Sequence, residues 1–106
     1  MTSEAHVRLL APRAQRELRD AVEWIADDNP DAALALIAAL TRTVSMLEAK
    51  PLLGRQRLAL APANFRFWLL RGFPYVLVYS VAHDPPLIVR VIHQSRDLAA
   101  ALEGDF

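Results

Sequence analysis

Between residues 14 and 25 apolar side chains recur at helical spacing, with Ala14, Leu18, Ala21, Val22 and Ile25 on one stripe and Arg13, Arg16, Glu17, Arg19, Asp20 and Glu23 on the opposite face. The pattern predicts an amphipathic helix of about four turns. Before it, Val7-Arg8-Leu9-Leu10 predicts a short first strand, ended by Ala11-Pro12, and Pro12 suits the first turn of a helix because that N–H has no intrahelical partner. Asp27-Asp28-Asn29-Pro30 then breaks the helix. Asn29 reads as an N-cap and Pro30 as the first position of a second helix. In that helix Ala33, Ile37, Leu40, Val44 and Leu47 step by four and three, the seam of a helix packed on an antiparallel neighbour across a short turn.

Lys50-Pro51-Leu52-Leu53-Gly54-Arg55 marks the exit from the hairpin, and a loop runs on to Pro62. The period then changes. Phe65 to Leu70 and Tyr75 to Val81 are aromatic and β-branched segments joined by Arg71-Gly72-Phe73-Pro74, which predicts a β-hairpin. His83-Asp84-Pro85-Pro86 turns the chain into a last strand over residues 87–93. The order is β-α-α-β-β-β, an α+β fold in which a helix hairpin covers one face of a mainly antiparallel sheet. Residues 99–106 are expected to form a short terminal turn that frays.

The chain has 106 residues, a length that suits one domain spanning 1–106 with a single core. It has no cysteine, hence no disulfide and no thiolate metal site, and His6, His83 and His93 lack metal-motif spacing, so neither a metal nor a cofactor is expected. The N-terminus lacks the basic and apolar regions of a secretory signal, and no apolar run is expected to approach membrane-spanning length; a cytoplasmic protein is expected. Lysine plus arginine equals aspartate plus glutamate, 12 against 12, which argues against broad nonspecific nucleic-acid binding. The balance is uneven along the chain, because residues 51–106 hold six bases against four acids. Eleven of the 12 bases are arginine, the fork-shaped cation suited to carboxylate or phosphate.

Candidate chemistry gathers at the last strand. Arg90 interrupts an otherwise apolar run and, if buried, needs a partner, since an unpaired buried charge is very costly. Arg90, His93, Arg96 and Asp97 lie within eight residues and could converge with Arg66. One reading is phosphate chemistry, with arginine stabilising charge and His93 moving a proton. The structural reading pairs Asp97 with an arginine and gives His93 a buried hydrogen bond. Arg55, Arg57, Arg66 and Arg71 form a candidate basic rim for a nucleic acid or an acidic peptide, or else a solvated face that serves solubility alone. Phe65, Phe67, Trp68, Phe73, Tyr75 and Tyr79 exceed what one sheet face can bury, so an exposed remainder is expected to mark a binding surface. Trp24, Leu34 and Leu36 fall partly off the helix seams, either as a solvent-facing scatter or as the lining of a groove for an amphipathic peptide.

Several of these segments, taken in order, resemble the ParE toxins of the RelE/ParE superfamily. They are the helix pattern Ala14 to Ile25, the turn Asp28-Asn29-Pro30-Asp31-Ala32-Ala33, the exit Pro51-Leu52-Leu53-Gly54-Arg55, the strand Tyr75-Val76-Leu77-Val78-Tyr79, and the ending Arg90-Val91-Ile92-His93-Gln94-Ser95-Arg96-Asp97. The resemblance implies the toxin of a type II toxin–antitoxin (plasmid stabilisation) system, neutralised by a ParD-like ribbon-helix-helix antitoxin whose arm wraps the toxin. ParE-like members are associated with DNA gyrase, whereas RelE-like members cut messenger RNA in the ribosome, and one fold hosts both. A single lysine, no tyrosine after Tyr79 and zero net charge lean toward the gyrase inhibitor and away from an enzyme. Antitoxin contacts are then expected at Trp24, Leu34, Leu36, Arg55, Arg57, Arg66, Trp68 and Arg71, and target contacts at Arg90, His93 and Arg96. In the ribonuclease alternative Arg66, Arg90 and His93 would be catalytic. A non-toxic binding module is the third reading.

Overall fold

Pro12 opens the first helix in the computed structural model, which describes residues 9–106. Helix α1 spans Pro12–Asp28 and α2 spans Pro30–Ala49. Asn29 between them serves both: its N–H donates to the Ile25 carbonyl (2.8 Å), and its Oδ1 accepts from the Ala32 N–H (3.1 Å). A one-residue hinge forces the helices to lie antiparallel.

The face that α2 buries differs from the predicted seam by one position. Ala33, Leu36, Ala39, Leu40, Thr43, Val44 and Leu47 are buried, whereas Ile37 is 41% exposed. Leu36, expected to contact a partner, is 1% exposed and belongs to the core. Residues 32–40 are apolar throughout, so a rotation of one position exchanges one apolar side chain for another and the period cannot choose. The same composition corrects the expectation about apolar runs: α2 is long and apolar enough to cross a membrane, with a mean hydropathy of 1.5 over its best window. Its buried face, packed on α1 and the sheet, is that of a core helix.

A 3₁₀ turn at Pro51–Leu53 leads to strands β1 (Phe65–Leu69), β2 (Tyr75–Ser80) and β3 (Leu87–His93). The sheet order is β1-β2-β3 and both pairings are antiparallel, as the pattern predicts. Gly72, at φ 85°, supplies the left-handed turn between β1 and β2. Of the predicted first strand, Val7 and Arg8 lie outside the described residues. Its end, Leu10, bridges Ile88 in parallel on the outer edge of β3.

The sheet has two cores. Leu77, Tyr79, Ile88 and Val91 meet the helices on one face. Phe67, Val78 and Ile92 meet Ala61, Ala101 and Leu102 on the other. The C-terminal segment therefore does not fray: helix α3 (Leu98–Ala101) and Leu102, 3% exposed, close the second face. Burying one leucine contributes roughly 1.5–3 kcal/mol, enough to hold a segment this short. The second core also accounts for the aromatic excess. Every aromatic residue of the hairpin is buried or half-buried, and the exposed aromatics are instead Trp24 and Phe106.

Between Val78 and Tyr79 the β2–β3 register shifts, with Val78 opposite Arg90 and Tyr79 opposite Ile88, so Val89 is a bulge. The extra residue resets the alternation and sends Arg90 to the edge of the sheet.

Candidate functional site

Arg90 is held on every side. Its Nε lies 3.0 Å from both Glu17 oxygens, NH2 is 2.8 Å from Glu17 Oε2, and NH1 donates to the Ala101 carbonyl (2.8 Å) and to Asp105 Oδ2 (2.5 Å). Burial works against the charge of Arg90, but the bonds to Glu17 and Asp105 outweigh it and raise its affinity for the proton. Glu17 also accepts the Val91 N–H at 2.9 Å, capping a donor on the outer edge of β3. Arg13 joins from outside with an ion pair to Asp105 at 3.1 Å. Arg90 is thus a buried structural hub tying α1, β3 and the C-terminal segment, and each of its three nitrogens donates within the fold.

The remaining residues of the expected cluster do not gather around it. His93 is half-buried; its Nδ1 accepts from the Ser95 N–H (3.1 Å), sits 2.7 Å from Ser95 Oγ, and its ring stands edge-on to Tyr75. Among the described residues Asp97 pairs with no arginine and instead caps α3, accepting from the Ala100 N–H at 3.3 Å. Arg96 is exposed. Arg66 sits on β1, two strand spacings or about 10 Å from β3, and turns to the helix exit. Arg66, Arg90 and His93 therefore form no common site.

A different region carries the features of a binding surface. The outer edge of β1 is paired only in part: the Phe65 N–H donates to the Pro62 carbonyl, and Phe67 exchanges two hydrogen bonds with Arg55 (2.8 and 2.9 Å). From Leu69 onward that edge has no partner among the described residues, and Leu69 is 55% exposed. Beside it runs a groove of about 730 Å³, walled by Leu53, Arg55, Trp68, Leu69, Arg71 and Phe73. A second hollow of about 460 Å³, between α2 and β1, shares Trp68 and Arg71 and adds Arg42 and Met46. The two read as one channel with an apolar floor and a rim of arginines. Among the described residues, Arg42, Arg55, Arg57, Arg66 and Arg71 make no ion pair.

Of the residues expected to meet an antitoxin, the structure brings Arg55, Trp68 and Arg71 together here. Arg57 lies next to them in sequence and covers the Phe67 ring at 5.7 Å. Trp24 and Leu34 are exposed on the helix hairpin and line neither hollow. Arg42, Met46, Leu53 and Leu69 were not anticipated. The first two depend on the rotation of α2 and the others on which edge of the sheet is open, and no local signal reports either.

Residues 9–98 match the family described as ParE toxin of type II toxin-antitoxin system, parDE. The chain belongs to the ParE toxin family. A solved structure described as the chromosomal ParDE TA system from P. aeruginosa superposes with a TM-score of 0.67 at 19% identity, covering 79% of this chain and 90% of that one, which shows a shared fold. No curated protein matches the chain. For this ParE-family toxin the family match ends at Leu98, so Asp105, which bonds Arg90, and Phe106, whose ring packs tilted against Phe65, lie beyond it. The core of the family match includes both walls of the basic channel.

Proposed function

We propose that this ParE-family toxin is held inactive by a ParD-like ribbon-helix-helix antitoxin whose acidic, apolar arm docks in the channel at the β1 edge, and that the free toxin inhibits DNA gyrase in the cytoplasm. The observation that carries the docking is the union of three features in one place: an open strand edge at Leu69, an apolar floor around Trp68, and arginines 42, 55 and 71 without acidic partners among the described residues. An extended arm adds main-chain hydrogen bonds at such an edge, and its alternate side chains enter the floor. Acidic side chains on the same arm meet the arginine rim, which speeds encounter and fixes register.

Three facts support gyrase over messenger RNA as the target. Net charge is zero, Arg90 is committed to Glu17 and Asp105, and His93 faces a serine and a tyrosine instead of a second acid or base. His93 and Arg96 remain at the surface and are the target contacts in this reading. Among the described residues no cluster of histidine, aspartate and glutamate could hold a metal ion.

The test is expression in a bacterial host. The toxin alone is expected to arrest growth, and coexpression of the ribbon-helix-helix protein encoded beside it is expected to restore growth. Unimpaired growth with folded toxin alone would leave the chain a binding module.

A further inference from the structure

We infer that Tyr79 and Arg66 are positioning residues that clamp the segment Pro51–Arg55 into a preformed wall of the binding channel, and that neither touches the partner. The inference rests on the channel being the antitoxin site.

Tyr79 lies on the central strand with 0% exposure, opposite Arg66 in the β1–β2 register. Its hydroxyl donates to the Pro51 carbonyl (2.6 Å) and accepts from the Gly54 N–H (2.8 Å), using its donor and a lone pair on one segment. Burial holds the phenol proton above its ordinary range, against the opposing pull of the Gly54 bond and Arg66, so the donor persists at neutral pH. Arg66 NH1 donates to the carbonyls of Leu52 (3.0 Å) and Gly54 (2.8 Å). Its Nε is buried with no partner among the described residues, so this guanidinium is directed inward at a cost. Two further bonds tie Arg55 to Phe67. Gly54 is required by the contact, because a Cβ there would stand 2.5 Å from the Tyr79 hydroxyl.

The clamped segment displays its side chains outward. Leu52 is 64% and Leu53 40% exposed, and Arg55 is exposed beside them. A segment fixed only for stability would turn its leucines inward, since burying each is favourable. Here the backbone is bound by two hydrogen bonds involving Tyr79, two from Arg66 and two with Phe67, while Leu53 faces the channel and Leu52 faces solvent beside it. Fixing the wall in advance removes the cost of ordering it on binding. It also makes the arginine nearest the exit a tether for the backbone, leaving Arg55 and Arg71 as the cations that meet the partner.

The experiment measures the affinity of purified toxin variants for the ribbon-helix-helix protein encoded beside it, at a temperature where each variant is fully folded, together with hydrogen exchange of the Gly54 amide in free toxin. Tyr79→Phe is expected to expose the Gly54 amide to exchange and to weaken binding about tenfold, as follows if the competent wall is populated at about 0.1. Arg66→Met keeps the stem, removes both carbonyl bonds, and is expected to act in the same direction; it carries the test if Tyr79→Phe does not fold. Arg55→Ala and Trp68→Ala are contact controls. Weakened binding in the controls with wild-type affinity in both clamp variants would overturn the inference and leave the channel standing. Wild-type affinity in all four would remove the channel itself as the antitoxin site.

Discussion

Arg90→Met is expected to cost about 3–5 kcal/mol of folding stability, the loss typical of breaking a buried ion pair by removing one partner. The Arg90 side chain is 3% exposed, and its removal takes from Glu17 its cation and from the Ala101 carbonyl a donor, leaving Glu17 with the Val91 N–H and Asp105 with the exposed Arg13. Those groups come from α1 and from the C-terminal segment, so the damage reaches both faces of the sheet. Urea unfolding followed by tryptophan fluorescence measures the loss. Replacing Glu17, Arg90 and Asp105 together by apolar residues of similar volume is expected to be far milder, because no charge is then stranded. A loss below about 1 kcal/mol for the single variant would mean that the cluster is solvated like a surface pair. Any loss of toxicity in Arg90→Met then reports unfolding and not missing chemistry.

Reversing two charges at the channel, Arg55→Glu with Arg71→Glu, is expected to release the toxin from its antitoxin by at least about 100-fold in affinity, since like charges brought together at an interface cost several kcal/mol. Both residues are exposed and unpaired, so folding stability is expected to change by no more than about 0.5 kcal/mol. The variant should arrest growth even with the antitoxin present. In the wild-type pair, raising ionic strength should slow association more than it speeds dissociation, the signature of steering by exposed charge. Stopped-flow association across a salt series, with the double variant as reference, reads both. A flat association rate would mark the arginines as a solvated face.

Much of the architecture is legible in local pattern. The Asn29-Pro30 hinge, the strand pair around Gly72 and the two-helix layer follow from capping, turn chemistry and period, each written within a few residues. What is not legible depends on distant partners. Glu17 reads as one more polar residue on the solvent face of α1, yet it is the partner of Arg90, 73 positions away. Asp105 lies in a segment expected to fray, and only the second core, closed by Ala101 and Leu102, holds it in place. The uniformly apolar run around Leu36 and Ile37 hides the rotation of α2, and with it the presence of Arg42 on the channel. Arg90 illustrates both sides: its need for a partner is evident from the strand it interrupts, but its structural role is not.

The free toxin is expected to act on gyrase and to perform no proton transfer of its own. The most direct test is a pair of purified assays run with wild type and His93→Ala: gyrase supercoiling with detection of the cleavage complex, and cutting of messenger RNA on programmed ribosomes. Among the described residues His93 bonds only within its own turn and meets no carboxylate, so inhibited supercoiling, accumulated cleavage complex and intact messenger RNA are expected for both proteins. Codon-specific cuts with unaffected gyrase, reduced about 10²–10⁴-fold by His93→Ala as for a lost general acid or base, would contradict this expectation.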